Sequence, residues 1–237
     1  MKKTLLSCVI AVFSLFLVAQ ITIAQEKIQG PWMWMIAACQ PGQGGAACTD
    51  RDSLDEASKG KVTEKMVVKS GIDKKIAKIE IDGRKWVEGK IAPTGGNNIQ
   101  DMINANKGKW KGGWSGVAAD INDHSAYAVI NAVAPKVQKG ITTRVGSDDS
   151  VKVWVNGEEV HRNAVNRGAG DFQDTFSIDL KRGNNIIMVK VSERGGGWSM
   201  FFGIDASGLK YNLKFPGWAV STSGKLATSW GDIKFAK

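Results

Sequence analysis

Val151-Lys152-Val153-Trp154-Val155-Asn156-Gly157-Glu158-Glu159-Val160-His161 is the stretch whose reading decides the fold. Val151, Val153 and Val155 alternate with Lys152, Trp154 and Asn156, the period-two pattern of a β-strand. Asn156-Gly157 supplies the left-handed positions that a two-residue hairpin turn demands, and Glu159 to His161 begins the return. Trp154 lies opposite the valine face, so both faces of the strand carry bulk. A strand covered on both sides sits centrally in its sheet.

The same rhythm extends in both directions. Downstream, Phe176, Ile178 and Leu180 alternate with Ser177 and Asp179. A turn over Lys181 to Asn184 leads to the alternating Ile187, Val189 and Val191, and Trp198 to Ile204 closes the set. Upstream, Trp32 to Ile36, Ser125 to Ala134 and Ile141 to Val145 read as strands. Ile76 to Ile81 alternates more weakly, followed by an Asp82-Gly83 turn and a return over Lys85 to Ile91. About nine short strands with turns every 8–12 residues predict an all-β fold, an antiparallel jelly-roll β-sandwich.

Helical signals are few and short, which fits peripheral helices on a sandwich and excludes a doubly wound sheet. Ser53-Leu54-Asp55-Glu56 is a capping box whose helix stops at Gly60. Thr63 caps a second turn through Val67, ended by Gly71, and Asn98 caps a third helix over Ile99 to Ala105. Lys107 to Gly116 reads as an exposed, irregular loop.

The 237 residues are 43% hydrophobic and 23% charged, a globular composition that excludes a disordered or collagen-like chain. Lys2 and Lys3 precede an uncharged run from Leu5 to Ala19 and the small-residue ending Thr22-Ile23-Ala24. That is the layout of a secretory signal over 1–24, and the apolar run is shorter than the ~20 residues a membrane span needs. The expected protein is therefore exported (secreted, periplasmic or at the cell surface), with no membrane span after cleavage. The expected organisation is one sandwich over 25–206, with its core motif at 141–205, and a basic tail or peripheral strands over 207–237.

Cys39 and Cys48, the two cysteines outside the export segment, predict a disulfide in an exported chain. An unstrained ring of that size stabilises by about 2–3 kcal/mol. The net charge is +9, or +7 without Lys2 and Lys3 of the export segment, and it is spread along the chain rather than gathered in a block. It favours anionic surfaces such as acidic polysaccharide or wall polymer, and no nucleic-acid-binding motif accompanies it.

Catalytic signatures are absent. The two histidines, His124 and His161, lack metal-ligand spacing with each other or with cysteine. No Gly-x-Ser-x-Gly elbow is present. Glu158, Glu159 and Glu193 offer carboxylates, but no pattern marks any pair of them for glycoside hydrolysis. The chain reads as a non-enzyme.

The run from Gly146-Ser147-Asp148-Asp149-Ser150 through Val151 to Val160 continues through His161, Asn166-Arg167-Gly168, Asp171, Phe172, Asp174, Lys181, Gly183, Asn185 and Val189-Lys190-Val191 to Gly195-Gly196-Gly197-Trp198. It resembles the galactose-binding-like β-sandwich modules of secreted bacterial proteins, among them the sugar-binding domains appended to glycoside hydrolases. The likeness covers Ile141 to Asp205. Trp32-Met33-Trp34-Met35-Ile36-Ala37 and Ile91-Ala92-Pro93-Thr94-Gly95-Gly96 look like the earlier part of the same proteins. The resemblance implies binding rather than chemistry. The Asp148-Asp149 pair is also similar to the sugar-binding adhesin domains of the protective-antigen type. There, two adjacent aspartates ligate calcium and the hydroxyls of the bound sugar. This chain offers no clear second calcium loop.

The candidate ligand-binding residues are Asp148, Asp149, Arg194, Trp198, Trp110 and Trp114. Asp148 and Asp149 are hard oxygen ligands for Ca²⁺, acceptors for sugar hydroxyls, or simply a solvated turn. Trp198, beside three glycines, either stacks on a sugar face or fills the core. Trp110 and Trp114, among Lys107, Lys109 and Lys111, form an exposed platform or cover one end of the sandwich. Arg167 and Arg194 flank glycine-rich turns and can clamp a carboxylate.

The expected function is an exported, non-catalytic carbohydrate-binding module that requires no cofactor beyond an assisting Ca²⁺. Its expected partner is a polysaccharide or cell-surface glycan, with anionic ones favoured by charge. A structural or assembly protein of the envelope or extracellular matrix is the alternative, and a glycan-active hydrolase the weaker one.

Overall fold

The computed structural model describes residues 26–216. The expected export segment, 1–24, and the end of the chain, 217–237, lie outside the described residues. No helix among the described residues is long and apolar enough to cross a membrane.

Among the described residues ten strands run β1 (Trp32–Ala38), β2 (Val87–Gly89), β3 (His124–Ala134), β4 (Gln138–Asp148), β5 (Ser150–Val155), β6 (Glu158–Asn163), β7 (Asp174–Leu180), β8 (Gly183–Glu193), β9 (Ser199–Ile204) and β10 (Lys210–Asn212). Every strand pairing is antiparallel. The larger sheet has the order β2-β1-β3-β8-β5-β6, and β10 also pairs with β3. The smaller sheet has the order β7-β4-β9. The all-β sandwich predicted from the alternating strands is the observed architecture.

Alternation along the strands sorts side chains onto two faces. Trp32, Trp34 and Ile36 of β1 point inward with Ala126, Ala128 and Ile130 of β3, Val151, Val153 and Val155 of β5, and Ile187, Val189 and Val191 of β8. They pack on Val145, Ile178, Met200 and Phe202 from the smaller sheet. The outward set, Met35, Tyr127, Val129, Trp154 and Met188, is covered by the short helices α1 (Ser53–Ser58) and α2 (Glu64–Ser70) through Leu54, Val67 and Val68. Trp154 is thus buried on the helical side while its valine neighbours face the other sheet. Both faces of β5 are covered, as its sequence requires. Each large apolar side chain withdrawn from water adds roughly 1.5–3 kcal/mol, so the central sheet is stabilised from both sides.

Several local expectations shift. The α1 cap is Asp52 rather than Ser53: its Oδ1 accepts the Asp55 N–H at 2.9 Å, and its Oδ2 accepts the Glu64 N–H at 2.8 Å. One carboxylate therefore starts α1 and ties it to α2. Thr63 caps α2 as expected, accepting the Met66 N–H at 3.1 Å. Ile76 to Ile81 is not a strand but a 3-10 turn over Ile76–Lys78. Asp73 Oδ1 accepts the N–H groups of both Lys75 and Ile76 at 2.8 Å, which satisfies the donors a strand would use.

The third helix, α3 (Asn98–Asn106), begins one residue early. Asn98 does not cap it. Its Nδ2 donates to Ala92 O and Met200 O, and its Oδ1 accepts the Met200 N–H, so it anchors the helix to β9. Residues 210–212, expected in a tail or peripheral strands, form β10 on the edge of β3.

Candidate functional site

Three strand ends converge at one end of the sandwich. Asp148 is the last residue of β4, Asp149 is the single residue before β5, and Glu193 is the last residue of β8. Pairing sets their positions: Asp148 lies opposite Ser199 of β9, Ser150 opposite Ser192, and His124 opposite Glu193. The Asp148–Asp149 peptide is cis. The three carboxylates each offer an oxygen within 4.8 Å of the others.

Their surroundings differ. Asp149 is buried, and each of its oxygens accepts a main-chain N–H at 3.0 Å, Oδ1 from Arg167 and Oδ2 from Arg194. Asp148 is partly exposed, and its Oδ2 accepts the Ala169 N–H at 3.1 Å. Glu193 is 0% exposed, and among the described residues neither of its carboxylate oxygens makes a well-formed hydrogen bond, its polar neighbours being the Gly195 N–H and the Asp149 carboxylate. A buried carboxylate without well-formed hydrogen bonds is costly. Burial, and then the charges of Asp149 and Asp148, raise the Glu193 carboxyl to about 8. Burial and the neighbouring Asp149 raise Asp148 to about 6.

A second layer holds the first. Ser147 Oγ donates to Asp149 O at 2.7 Å and accepts from Arg167 Nη2 at 2.8 Å. The Arg167 guanidinium also forks onto both oxygens of Asp174, at 3.0 and 2.7 Å. His161 Nε2 lies 3.1 Å from Asp174 Oδ2, and its ring stacks on Phe176 at 4.5 Å. Arg167 is thus spent inside the protein, whereas Arg194 is exposed at the rim. The walls come from distant loops. Gly96 and Gly197 lie on the Asp148 side, Gly45 and Asn166 on the Asp149 side.

No protein-family model and no curated protein matches the chain. Among solved structures, the chain is similar to a PA14 sugar-binding domain from an RTX adhesin, at 14% identity and a TM-score of 0.42 over 79% of this chain and 96% of that one. It is also similar to the PA14 domain of the MpAFP antifreeze protein, at 13% identity and a TM-score of 0.39 over 79% of this chain and 88% of that one.

The sequence-predicted residues separate into two groups. Asp148, Asp149 and Arg194 come together. The tryptophans do not join them. Trp198 is 1% exposed, its ring packs in the core between the sheets, and its Nε1 donates to Val191 O at 3.2 Å. The expectation of a stacking platform there is corrected: the indole fills core volume. Trp114 is likewise buried, with its Nε1 donating to Lys85 O at 2.7 Å.

Trp110 is half-buried against Trp114, 5.0 Å between ring centroids, and lies on Gly89 of β2. β2 pairs with the first residues of β1, whereas His124, beside Glu193, pairs with the last. Trp110 is therefore at the opposite end of the sandwich from the acids.

Glu193 is the site residue that sequence reading undervalued. Its signal was an acid closing a buried alternating strand directly before Arg194-Gly195-Gly196-Gly197. Cys39 and Cys48 form the expected disulfide. Its loop reaches the site through Gly44 and Gly45.

Proposed function

We propose that the Asp148–Asp149–Glu193 cluster is a divalent-cation site and that the protein is a non-catalytic, cation-dependent glycan-binding module. The observation that carries this reading is the Glu193 carboxylate, fully buried, without a well-formed hydrogen bond among the described residues, and beside two aspartates. A cation supplies counter-charge to this trio. Carboxylate oxygens suit a hard ion such as Ca²⁺, which takes six to eight oxygen ligands.

Three side chains leave coordination positions vacant. Asp148 is the one partly exposed acid, so incoming ligand atoms approach from its side. Paired sugar hydroxyls, or a uronate carboxylate, are oxygen donors suited to those positions. Arg194 at the rim favours the anionic case. Affinity in this reading comes from the ion and hydrogen bonds, since Trp198 and Trp114 are buried and Trp110 lies at the other end of the sandwich.

Calcium titration calorimetry tests the first step, and glycan-array binding with Ca²⁺ and with EDTA tests the second. The expected result is calcium uptake by the wild type that Asp149→Asn lowers at least tenfold, with glycan binding lost in EDTA. Absence of both calcium heat and any calcium-dependent rise in melting temperature overturns the reading.

A further inference from the structure

The wall of the acid cluster nearest Asp149 comes from the far N-terminal part of the chain, and a covalent bond holds it there. Residues 40–47 lie between Cys39 and Cys48, which are bonded to one another. The segment crosses to the cluster at Gly44 and Gly45, and the approach leaves no room for side chains. A Cβ at Gly44 would lie 2.2 Å from the carbonyl oxygen of Glu193. A Cβ at Gly45, whose φ is +56°, would lie 2.3 Å from Asn166 Oδ1 and 3.2 Å from Asp149 Oδ2.

The same segment is bonded to the strands and loops that carry the acids. Ser150 Oγ donates to Gly45 O at 2.9 Å, and the Ala46 N–H donates to Asn166 Oδ1 at 2.7 Å. The N–H groups of Gly42 and Gly44 donate to the two oxygens of Asp123 at 2.7 and 2.9 Å.

Apart from a 3-10 turn at Gly45–Cys48, residues 40–47 have no regular structure. Gln40-Pro41-Gly42-Gln43-Gly44-Gly45 is rich in glycine, the residue that loses most freedom when fixed. Something must offset that entropy, and the cross-link does so by limiting what the free loop can explore. Lys190, from the strand that ends at Glu193, donates to Cys48 O at 2.9 Å and so docks the far end of the ring.

We propose that the Cys39–Cys48 disulfide assembles the cation site: residues 40–47 form its wall only in the oxidised protein, so calcium uptake is conditional on that bond. The inference rests on the cation-site reading above and adds its regulation. Forming the bond joins the two Sγ atoms and passes two electrons and two protons to a disulfide oxidant. A dithiol reverses it. The protein thus gains its binding site in the compartment where its disulfide forms.

Cys39→Ser/Cys48→Ser mimics the reduced state. Serine suits the position, because Ser53 Oγ and Ser125 Oγ lie 3.2 and 3.4 Å from Cys48 Sγ. Calcium calorimetry on the full mature protein should show affinity at least tenfold weaker in this variant, with the near-ultraviolet circular dichroism of the core retained. Gly45→Ala, with the disulfide intact, should weaken calcium at least fivefold, and it decides the matter if the double variant does not fold. Calcium affinity within twofold of wild type in the folded double variant, or in Gly45→Ala if that alone folds, overturns the inference and leaves the cation site standing. A wild type that binds no calcium overturns both.

Discussion

The main-chain N–H of Arg194 donates to Asp149 Oδ2 at 3.0 Å. One residue after Glu193, the chain thus turns back to hold the acid that Glu193 faces. That same turn presents the Arg194 side chain to solvent. Holding and presenting are coupled in one peptide unit, so the geometry of the acids and the placement of the rim cation are not independent. Three carboxylates drawn this close should leave a mark on stability.

Both Glu193, at about 8, and Asp148, at about 6, titrate above their ordinary values in the folded protein. Between the unfolded and folded values the native state binds more protons than the unfolded one, so stability falls as pH rises. The contribution is complete below about pH 4 and is lost as pH climbs through 6 and then 8. In EDTA the melting temperature should drop by about 5 °C between pH 5.5 and 8.5. Calcium should restore most of that loss at pH 8.5 and little at pH 5.5. A melting temperature that rises with pH in EDTA contradicts this assignment of the acids.

Glu193→Gln removes the charge and keeps the shape. In EDTA at pH 8.5 it should stabilise the protein by about 1–3 kcal/mol, the cost relieved when a buried group need no longer be charged. In calcium it should lose at least tenfold in affinity. Opposite signs in the two conditions separate a ligand from a packing residue. Denaturant unfolding with and without calcium reads both.

Trp198→Ala checks the corrected role of the indole. A fully buried tryptophan truncated to alanine costs about 3–5 kcal/mol. The milder Trp198→Phe should keep calcium affinity within twofold, because the ring faces the core and not the cluster. Loss of glycan binding in a stable Trp198→Phe would restore the stacking role.

The fold was legible where a pattern is local. Val151, Val153 and Val155 against Trp154 announced a strand covered on both sides, and Asn156-Gly157 announced its turn. The site was only half legible. Asp148 and Asp149 are adjacent in sequence, so their partnership is visible in the chain. Glu193 joins them through strand pairing, because β8 lies beside β5 in the sheet. Gly44 and Gly45 arrive through a loop docked from the far N-terminal side. No periodicity encodes such meetings. The tryptophans misled for a related reason: glycine beside Trp198 looks like an open platform, but Gly197 instead lets the turn pack against Asp148 and Gly96 while the indole points into the core. Ile76 to Ile81 misled because Asp73, outside the alternating window, captures two of the donors.

Lys190 alternates with valines on β8, yet it is 0% exposed. Its ammonium donates to Cys48 O and Glu64 Oε1 at 2.9 Å, to Thr49 O at 3.3 Å and to Arg51 O. Tyr127 OH donates to the same Glu64 oxygen at 2.8 Å. Lys190→Met leaves Glu64 buried without its cation, which should destabilise by about 3–5 kcal/mol. Adding Glu64→Gln should recover part of that loss, since the orphaned charge is then gone. Urea unfolding of the single and double variants measures the coupling, and strict additivity would show that the two side chains do not act as a pair.

Arg167 gives the last test, because its side chain touches the cluster only through other groups, although its main-chain N–H donates to Asp149 Oδ1 at 3.0 Å. Its guanidinium spans Asp174 and Ser147 Oγ, and Ser147 Oγ in turn donates to Asp149 O. Arg167→Gln breaks charge-assisted bonds worth about 1.5–3 kcal/mol each in favourable cases, and loosens the peptide that carries Asp149. Calcium affinity should fall several-fold while the number of bound ions stays the same. Arg167→Lys should not rescue it, because an ammonium cannot fork onto both oxygens of Asp174 and still reach Ser147. Asp174→Asn should reproduce the calcium defect from a residue that is no part of the trio. If calorimetry finds Arg167→Lys indistinguishable from wild type, the planar fork is not what holds Asp149, and its two main-chain hydrogen bonds suffice.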